Sequence, residues 1–263
     1  MNWTRISALI LRYNYLFRRN LARLLDVIFW PVVELIVWGF VSMYLIRSGG
    51  NVPLFVAFFL GAFMFWEIIY RANLGISVGF LEDMWSRNFL NLFASPLKSI
   101  EFLTALVLSS LIRTVIGFGV MVAVAGALYG FNIFTLGLPL IAFFMNVMIF
   151  GWALGVISAG IILHFGQGSE MIAWAFVFVF QPLSAVFYPV AILPVWLQHI
   201  TRFVPASHVF EGLRTVISTG VFSWPDFWWA TGLNVIYISV AVAFFFFIFK
   251  RARASGRLAK QWQ

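Results

Sequence analysis

Six long apolar stretches constrain this chain more than any other feature of its sequence. They lie at about residues 25–46, 54–79, 101–128, 136–163, 171–190 and 226–249. Each reaches the roughly 20 apolar residues that a helix needs to cross a bilayer. None shows the period-two alternation of a transmembrane β-barrel, so helices are left as the way to satisfy the backbone in lipid. We therefore predict an all-α integral membrane protein with six transmembrane helices, forming one domain over residues 1–263.

Composition excludes a water-soluble protein. Hydrophobic residues make up 63% of the chain and charged residues only 10%, whereas soluble domains carry about 25% charged residues. The sequence contains no cysteine, which removes disulfides, thiolate metal sites and cysteine nucleophiles from consideration. The net charge of +8 is explained by basic residues beside the membrane, and nucleic acid is not expected as a partner.

Residues 1–23 precede the first apolar stretch and have the pattern of an amphipathic helix over 2–22. Apolar residues recur there every three or four positions, with arginines between them: Trp3, Ile6, Ile10, Tyr13, Phe17 and Leu21. A basic helix with an aromatic face is typical of the membrane interface. The interspersed arginines argue against a secretory signal, so we predict an interfacial helix.

The distribution of basic residues predicts the orientation. Twelve lysines and arginines lie in the N-terminal segment, the 80–100 loop and the C-terminal tail, and three lie in the flanks on the other side. Positive residues accumulate in cytoplasmic flanks. Both termini and the 80–100 loop are therefore predicted to be cytoplasmic, which six spans allow, in a multi-pass protein of the inner (plasma) membrane.

The sequence lacks the motifs of an enzyme. None of its three lysines follows a glycine, so there is no phosphate-binding Gly-Lys-Ser/Thr loop. His164, His199 and His208 are far apart, and the Gly-x-Ser-x-Gly match Gly75-Ile76-Ser77-Val78-Gly79 lies inside a predicted transmembrane helix, whereas a nucleophile elbow joins a strand to a helix. We predict no catalytic residue, no metal ion and no cofactor in this chain.

The predicted cytoplasmic loop at 80–100 has helical spacing over residues 81–94. Four apolar residues share one helical face, and Glu82 and Arg87 lie off it: Leu81, Trp85, Phe89 and Leu92. Ser95 and Pro96 then fit the cap and first position of the next helix. Two interpretations stay open: a short helix resting on the lipid surface, or a helix docking into a groove of a cytoplasmic partner.

A second long connection, residues 191–225, is apolar but is broken by prolines. Pro194 and Pro205 lie within it, and Pro189 lies just before it. Helices of about ten residues between prolines are too short for about 30 Å of hydrocarbon. They must be re-entrant or interfacial, with their backbone ends packed in protein or facing water.

Four charged residues lie inside the predicted spans: Glu34, Glu67, Arg71 and Arg113. A charge at mid-bilayer costs at least about 2.5–3.5 kcal/mol on insertion scales, so each needs a partner or a wet cavity. Glu67 and Arg71 are four residues apart and share a helical face, which allows an ion pair. They fit either a structural pair or part of a pathway for substrate or protons.

Taken together, these features resemble one known family. The 80–100 loop ends in Ala94-Ser95-Pro96-Leu97, and the proline-broken segment contains Phe187-Tyr188-Pro189, Leu193-Pro194-Val195-Trp196-Leu197, Pro205-Ala206-Ser207-His208 and Glu211-Gly212-Leu213-Arg214. With a basic interfacial helix and six spans in this order, the whole chain resembles the permease subunit of type-2 ATP-binding-cassette (ABC) exporters.

The resemblance implies partners and roles that spacing alone does not. Residues 81–94 would be the coupling helix that contacts a separate ATPase subunit, which binds the ATP and Mg²⁺. Two copies of this chain, a homodimer, would enclose the transport path above two ATPases. Residues 191–220 would form re-entrant helices at an outer gate, and residues 164–170 a smaller cytoplasmic contact.

Individual residues follow from the same resemblance. Trp85 and Phe89 would anchor the coupling helix in the ATPase, with Arg87 as a polar contact and Glu82 and Leu92 beside them. The gate residues would be Pro189, Pro194, Pro205, Glu211 and Arg214. The cargo would be an amphipathic, lipid-linked (polysaccharide-like) or hydrophobic molecule leaving the cytoplasm.

Two other functions compete with this one. A proton-coupled secondary transporter would use Glu34, Glu67 and Arg71 and would work without an ATPase. An integral-membrane enzyme acting on lipids is disfavoured, because the sequence offers no acid–base or metal cluster.

Overall fold

The computed structural model describes residues 1–47, 53–86, 88, 91–92 and 95–254, and within these ranges the chain is all-α, as the sequence predicts. The helices are α1 (Trp3–Arg19), α2 (Leu21–Arg47), α3 (Pro53–Trp85), α4 (Ser99–Tyr129), α5 (Leu138–Phe165), α6 (Glu170–Leu183), α7 (Val195–Thr201), α8 (Pro205–Thr219) and α9 (Trp224–Ala254). Short 3₁₀ turns at Ile133–Leu136, Gln167–Ser169 and Val190–Ile192 join some of them.

Four helices in the described part of the chain are long and apolar enough to cross a membrane. They are α4, α5, α9 and the Arg23–Tyr44 portion of α2, which match four of the six predicted spans. Helix α3, which has 33 residues, is not among these four. It contains the predicted second span, 54–79.

The predicted fifth span, 171–190, is too long. Helix α6 has 14 residues and ends at Leu183, which gives about 21 Å at 1.5 Å per residue, short of a hydrocarbon core of about 30 Å. Ala185, two residues later, has a left-handed backbone with φ of 49°, which an α-helix does not accommodate. The chain therefore leaves the helical path before residue 190.

The contacts between helices define two ends of the bundle. At the α1 end, α1 and the start of α2 meet the last turns of α3, the first turns of α4 and the last turns of α9, as the pairs Arg23–Glu82 and Phe80–Phe245 show. At the far end, the start of α3 meets the segment after α6 and the helix α8, as Phe59–Phe187 and the contact of Arg214 with Phe58 show.

The apolar core has two parts that follow these ends. At the α1 end, Ile6, Leu9 and Tyr13 of α1 pack with Phe80 of α3 and Phe102 of α4. The apolar face predicted for the N-terminal helix is thus partly buried against the protein, although Trp3 is 64% exposed. The other part of the core fills the middle and far end, around α3, α5 and α8.

Helices α3 and α5 approach closely through glycines. A Cβ atom at Gly151 would lie 2.7 Å from the carbonyl oxygen of Ile69, and one at Gly155 would lie 3.0 Å from that of Asn73. The spacing Gly151-x-x-x-Gly155 is the small-residue pattern that lets membrane helices pack backbone to backbone. The side-chain amide of Asn73 also donates to the hydroxyl oxygen of Ser158, at 3.2 Å.

The prolines of the second long connection begin new elements, as the sequence predicts. Pro189 precedes the 3₁₀ turn, Pro194 precedes α7 and Pro205 is the first residue of α8, a position that needs no backbone N–H. Helix α7 has seven residues and α8 has 15. Both are too short to cross about 30 Å of hydrocarbon.

Candidate functional site

Three groups of polar residues stand out in the part of the chain that the structure describes. One lies at the α1 end, one at the far end, and one lines a groove between α2, α3 and α6. Together they contain the charged site residues that the sequence predicts, except Arg87, which lies outside the described residues.

At the α1 end, α1 is fastened to the end of α3. The Arg12 guanidinium lies 2.6 Å from Asp83 Oδ1, and the Tyr13 hydroxyl donates to Asp83 Oδ2 at 2.5 Å. Burial and the neighbouring Asp83 carboxylate raise the pKa of the Tyr13 hydroxyl, so this hydroxyl stays protonated and keeps donating.

The same helix is also fastened to the start of α4. The backbone N–H of Asn2 donates to Glu101 Oε1 at 2.7 Å, and the Arg5 guanidinium lies 3.6 Å from Glu101 Oε2. Arg5 also donates to the carbonyl oxygen of Pro96. We call this set the α1 clamp: Arg5, Arg12 and Tyr13 with Asp83 and Glu101. The clamp holds both sides of the segment between α3 and α4, in which the sequence places the coupling helix.

Two predictions about the coupling helix, residues 81–94, need correction: where it begins and the role of Glu82. Residues 81–85 are the last turn of α3, because Leu81 and Met84 are buried in the core at the α1 end. Glu82 is only 5% exposed and its Oε1 lies 2.7 Å from the Arg23 guanidinium. Glu82 therefore faces the bundle and is not presented to a partner.

The other predicted coupling residues differ in placement. Trp85 is 46% exposed, so it is presented at the surface directly after the α1 clamp. Leu92 is partly buried against the core at the α1 end. Arg87 and Phe89 lie outside the described residues, as do positions 90, 93 and 94 of the predicted helix.

Arg113, predicted as an intramembrane charge, is held by α1. Its guanidinium lies 5.0 Å from the centre of the Phe17 ring and donates to the carbonyl oxygen of Tyr13 at 3.4 Å. Arg113 also lines a small cavity of about 60 Å³ with Arg23, Arg71 and the carboxylates Asp26 and Glu82. It therefore does not face lipid.

At the far end, Glu211 and Arg214 of α8 hold the segment that follows α6. The Glu211 carboxylate accepts from the backbone N–H of Val190 at 2.7 Å and lies 2.9 Å from the Arg214 guanidinium. Arg214 donates to the carbonyl oxygens of Ala185, Val186 and Tyr188. We call Glu211 and Arg214 the far-end anchor. Of the gate residues predicted with them, Pro205 is buried, and Pro189 and Pro194 are exposed.

A histidine that the sequence analysis did not single out joins α7, α8 and α9 near this anchor. His208 Nε2 lies 3.0 Å from the carbonyl oxygen of Arg202, and Nδ1 lies 3.4 Å from Asp226 Oδ1. Burial lowers the pKa of His208, but the hydrogen bonds to Asp226 and Arg202 outweigh it and raise the pKa. Both ring nitrogens face acceptors, which suits the doubly protonated ring.

The groove lies between α2 and α6, with α3 as its floor, and has a volume of about 280 Å³. Helix α2 supplies Asp26, Trp30 and Glu34, which are four residues apart and form one stripe. The floor and the other wall are contributed by Trp66, Glu67, Tyr70, Arg71, Trp174, Phe178 and Gln181.

The groove contains the ion pair that the sequence predicts. Arg71 Nε lies 3.0 Å from Glu67 Oε2, and both side chains are more than nine-tenths buried. The N–H of Arg71 Nε is nevertheless not aligned for a hydrogen bond to Glu67 Oε2. Arg71 Nη1 donates instead to the carbonyl oxygen of Asp26, at 3.2 Å.

Sequence reasoning missed Asp83, Glu101 and their partners on α1. The available signal was a pair of adjacent acidic residues, Glu82 and Asp83, at the end of an apolar span in a chain whose N-terminal segment is rich in arginine. That signal does not say which arginine meets which carboxylate. Within the described ranges, no three histidine, aspartate or glutamate side chains are grouped so that they could hold a metal ion.

Comparison with protein families gives one match. A family model described as ABC-2 type transporter matches residues 6–218. The match begins in α1 and ends in α8, so it includes the groove, the far-end anchor and every residue of the α1 clamp except Arg5, and α9 follows it. None of the curated proteins compared with the chain is similar enough to count as a match.

Proposed function

Because this chain belongs to the ABC-2 type transporter family, we propose that it is a permease subunit driven by a separate ATPase subunit that binds around Trp85. The chain is the membrane component of such a transporter. The observation that carries the proposal is the exposed Trp85 at the end of α3, directly beside the α1 clamp. An exposed tryptophan is the kind of residue that dominates the free energy of a protein interface.

The α1 clamp supports a mechanism for coupling. Helix α1 is tied to Asp83 before the connecting segment and to Pro96 and Glu101 after it. A force on this segment would therefore act on the ends of α3 and α4 together, and α3 packs against α5 through the glycine contacts at Gly151 and Gly155. Packed helices of this kind move between discrete arrangements, so closure of the ATPase would rearrange the membrane helices.

The orientation follows from charge. The arginines of α1 and the basic residues at the end of α9 lie at the α1 end, where Lys250, Arg251 and Arg253 are found. Basic flanks are cytoplasmic, so the α1 end would face the ATPase in the cytoplasm, with both termini on that side of the inner membrane. Six crossings by α2, α3, α4, α5, α6 and α9 agree with this arrangement, α6 being completed by the segment that follows it.

The far end would then be the outer side, and the short helices α7 and α8 would lie re-entrant or interfacial around the exit. Exposed apolar residues on and beside α7 support contact with lipid, among them Trp196 and Phe203. Two copies of the chain would form a homodimer around the transport path. The cargo would be an amphipathic, lipid-linked or hydrophobic molecule moving outward.

Co-purification with the ATPase subunit tests this proposal. The permease should bind the ATPase and stimulate its ATP hydrolysis in nanodiscs. The Trp85→Ala variant should weaken the complex at least about tenfold, because a hot-spot tryptophan contributes about 2 kcal/mol or more. The matched control is Trp196→Ala, which removes a tryptophan that is 64% exposed on α7 and should leave the complex unchanged.

Two results would contradict the proposal. One is a Trp85→Ala variant that binds and stimulates the ATPase as strongly as the original chain does. The other is substrate transport by the purified chain in vesicles that contain no ATPase, which would favour a secondary transporter.

A further inference from the structure

We propose that the groove between α2, α3 and α6 binds the positively charged head of an amphipathic organic cation, such as a quaternary ammonium. The inference rests on the proposed function, because it names the class of cargo that the transporter would carry. Binding itself requires only this chain. Four observations support it: the charge balance, the incomplete ion pair, the aromatic walls and the open side.

The groove has more negative than positive side chains. Asp26, Glu34 and Glu67 supply three carboxylates, and Arg71 is the only basic residue among the described residues that line it. Arg71 is engaged by Glu67 and by the backbone of Asp26. Glu34 and the carboxylate of Asp26 form no close ion pair or hydrogen bond with any residue of the described ranges, and the charge of Arg71 acts on Glu34 only at longer range.

The location of Glu34 makes this imbalance significant. It lies near the middle of the apolar portion of α2, Arg23–Tyr44, and its side chain is exposed at the surface of the chain. A carboxylate at membrane depth is costly without a partner and usually marks a ligand or ion path. A cation bound in the groove would supply the missing partner.

Glu67 adds a second, independent indication. Its carboxylate is more than nine-tenths buried in the floor of the groove, yet the Oε2 atom that faces Arg71 lacks a proper hydrogen bond. Buried polar atoms without partners are rare in folded proteins and call for an explanation. A positively charged ligand above this pair would balance the negative charge of Glu67 that Arg71 balances only in part.

The walls have the chemistry that recognises an organic cation. Trp30, Trp66, Tyr70, Trp174 and Phe178 line the groove. The Phe178 ring lies 5.2 Å from that of Tyr70 and 6.4 Å from that of Trp66, measured between centroids. Aromatic rings attract cations through their faces, and rings arranged around a pocket recognise quaternary ammonium groups.

Size and access fit an amphiphile. The volume of about 280 Å³ is close to the lower limit of ordinary small-molecule sites, about 300 Å³, so the groove holds a head group rather than a large cargo. Trp30 is 56% exposed and Trp174 is 39% exposed. An apolar tail would leave the groove between these residues toward the surrounding bilayer.

A direct binding measurement tests the inference. The probe is radiolabelled benzyltrimethylammonium, and the sample is the purified full chain in nanodiscs of uncharged phosphatidylcholine. Neopentylbenzene has the same shape with carbon in place of the charged nitrogen, so it serves as the neutral competitor. We expect saturable binding of the cation and no displacement by an excess of the neutral compound.

Two variants locate the site. Glu34→Gln and Trp30→Ala should each weaken binding about tenfold or more, because a desolvated cation–π or charge contact contributes about that factor. The matched control is Trp228→Ala, which removes a tryptophan that is 62% exposed on α9 and should bind as the original chain does. Neither Glu34 nor Trp30 is buried, so both variants should fold.

Several results would overturn the inference: no saturable binding, equal affinity in Glu34→Gln, or displacement by neopentylbenzene, which would indicate a merely apolar groove. These outcomes are separate from those that test the permease, because no ATPase is present. A chain that couples to its ATPase but binds no cation would refute this inference alone. A chain that binds the cation but no ATPase would refute the proposed function and leave the site standing.

Discussion

The Arg12 guanidinium lies 2.6 Å from the Asp83 carboxylate, and this ion pair connects the first helix of the chain to the last turn of α3. The Tyr13 hydroxyl donates to the other oxygen of the same carboxylate. Asp83 is fully buried, and a buried carboxylate that loses its partners is strongly destabilising. Helix α1 is therefore fixed to the bundle at the end of α3, beside the segment on which a partner subunit would act.

Removing the Asp83 carboxylate should release α1. The Asp83→Ala variant leaves the buried Tyr13 hydroxyl and the Arg12 guanidinium without their acceptor, which should lower the free energy of unfolding by about 2–3 kcal/mol. Thermal unfolding in detergent and faster hydrogen exchange in α1 would show it. Arg18→Gln, on the exposed side of α1, is the control and should change little. Unchanged exchange in α1 of Asp83→Ala would argue against the clamp.

Adding a methyl group at Gly151 should separate α3 from α5. The new Cβ would lie 2.7 Å from the carbonyl oxygen of Ile69, and such overpacking costs about 1–3 kcal/mol. We expect Gly151→Ala to lower the midpoint of thermal unfolding. Gly119→Ala in α4 is matched, because a Cβ there meets no atom within 4 Å among the described residues. If the two variants unfold alike, the backbone contact does not limit the packing.

Replacing Arg214 should free the segment after α6. Arg214→Gln removes the charge that pairs with Glu211 and the donors to three carbonyl oxygens between Ala185 and Tyr188. We expect a loss of about 2–3 kcal/mol and faster hydrogen exchange at residues 185–190. Arg202→Gln, exposed at the end of α7, should leave exchange unchanged. Protection of this segment in Arg214→Gln equal to that in the original chain would refute the role of the anchor.

Stability should fall as pH rises through the titration of His208. Its pKa is raised in the folded chain, so protonated His208 stabilises the fold fully below about pH 6.5, the pKa of an unfolded histidine. That contribution is lost as pH rises from there through the higher folded-state pKa. The melting temperature should therefore decrease, as pH rises above about 6.5, more in the original chain than in His208→Gln. Parallel pH profiles for the two proteins would contradict this.

The sequence predicted those features that depend on local pattern. The helical class follows from long apolar runs, the pair of Glu67 and Arg71 from a spacing of four, and the breaks before α7 and α8 from Pro194 and Pro205. In each case the residues that determine the structure are close together in the sequence, so a short segment is enough to predict it. These predictions were confirmed.

Features that depend on distant residues were not predictable in the same way. Glu82 was expected to face a partner, but Arg23, which is remote in sequence, pairs with it inside the bundle. Helix α6 was expected to continue to residue 190, but it ends at Leu183, where Arg214 holds the backbone that follows. The α1 clamp likewise joins residues about 70 and 100 positions apart. The helical spacing of neighbouring residues does not show which distant residues will pair.

Site-specific labelling tests the central claim most directly, and the absence of cysteine from the sequence makes it straightforward. Trp85→Cys and Arg202→Cys each place one thiol on an exposed position at opposite ends of the bundle. A membrane-impermeant maleimide should label Trp85→Cys only in inside-out vesicles and should label Arg202→Cys only in intact cells. Labelling of Trp85→Cys from outside intact cells would contradict the account.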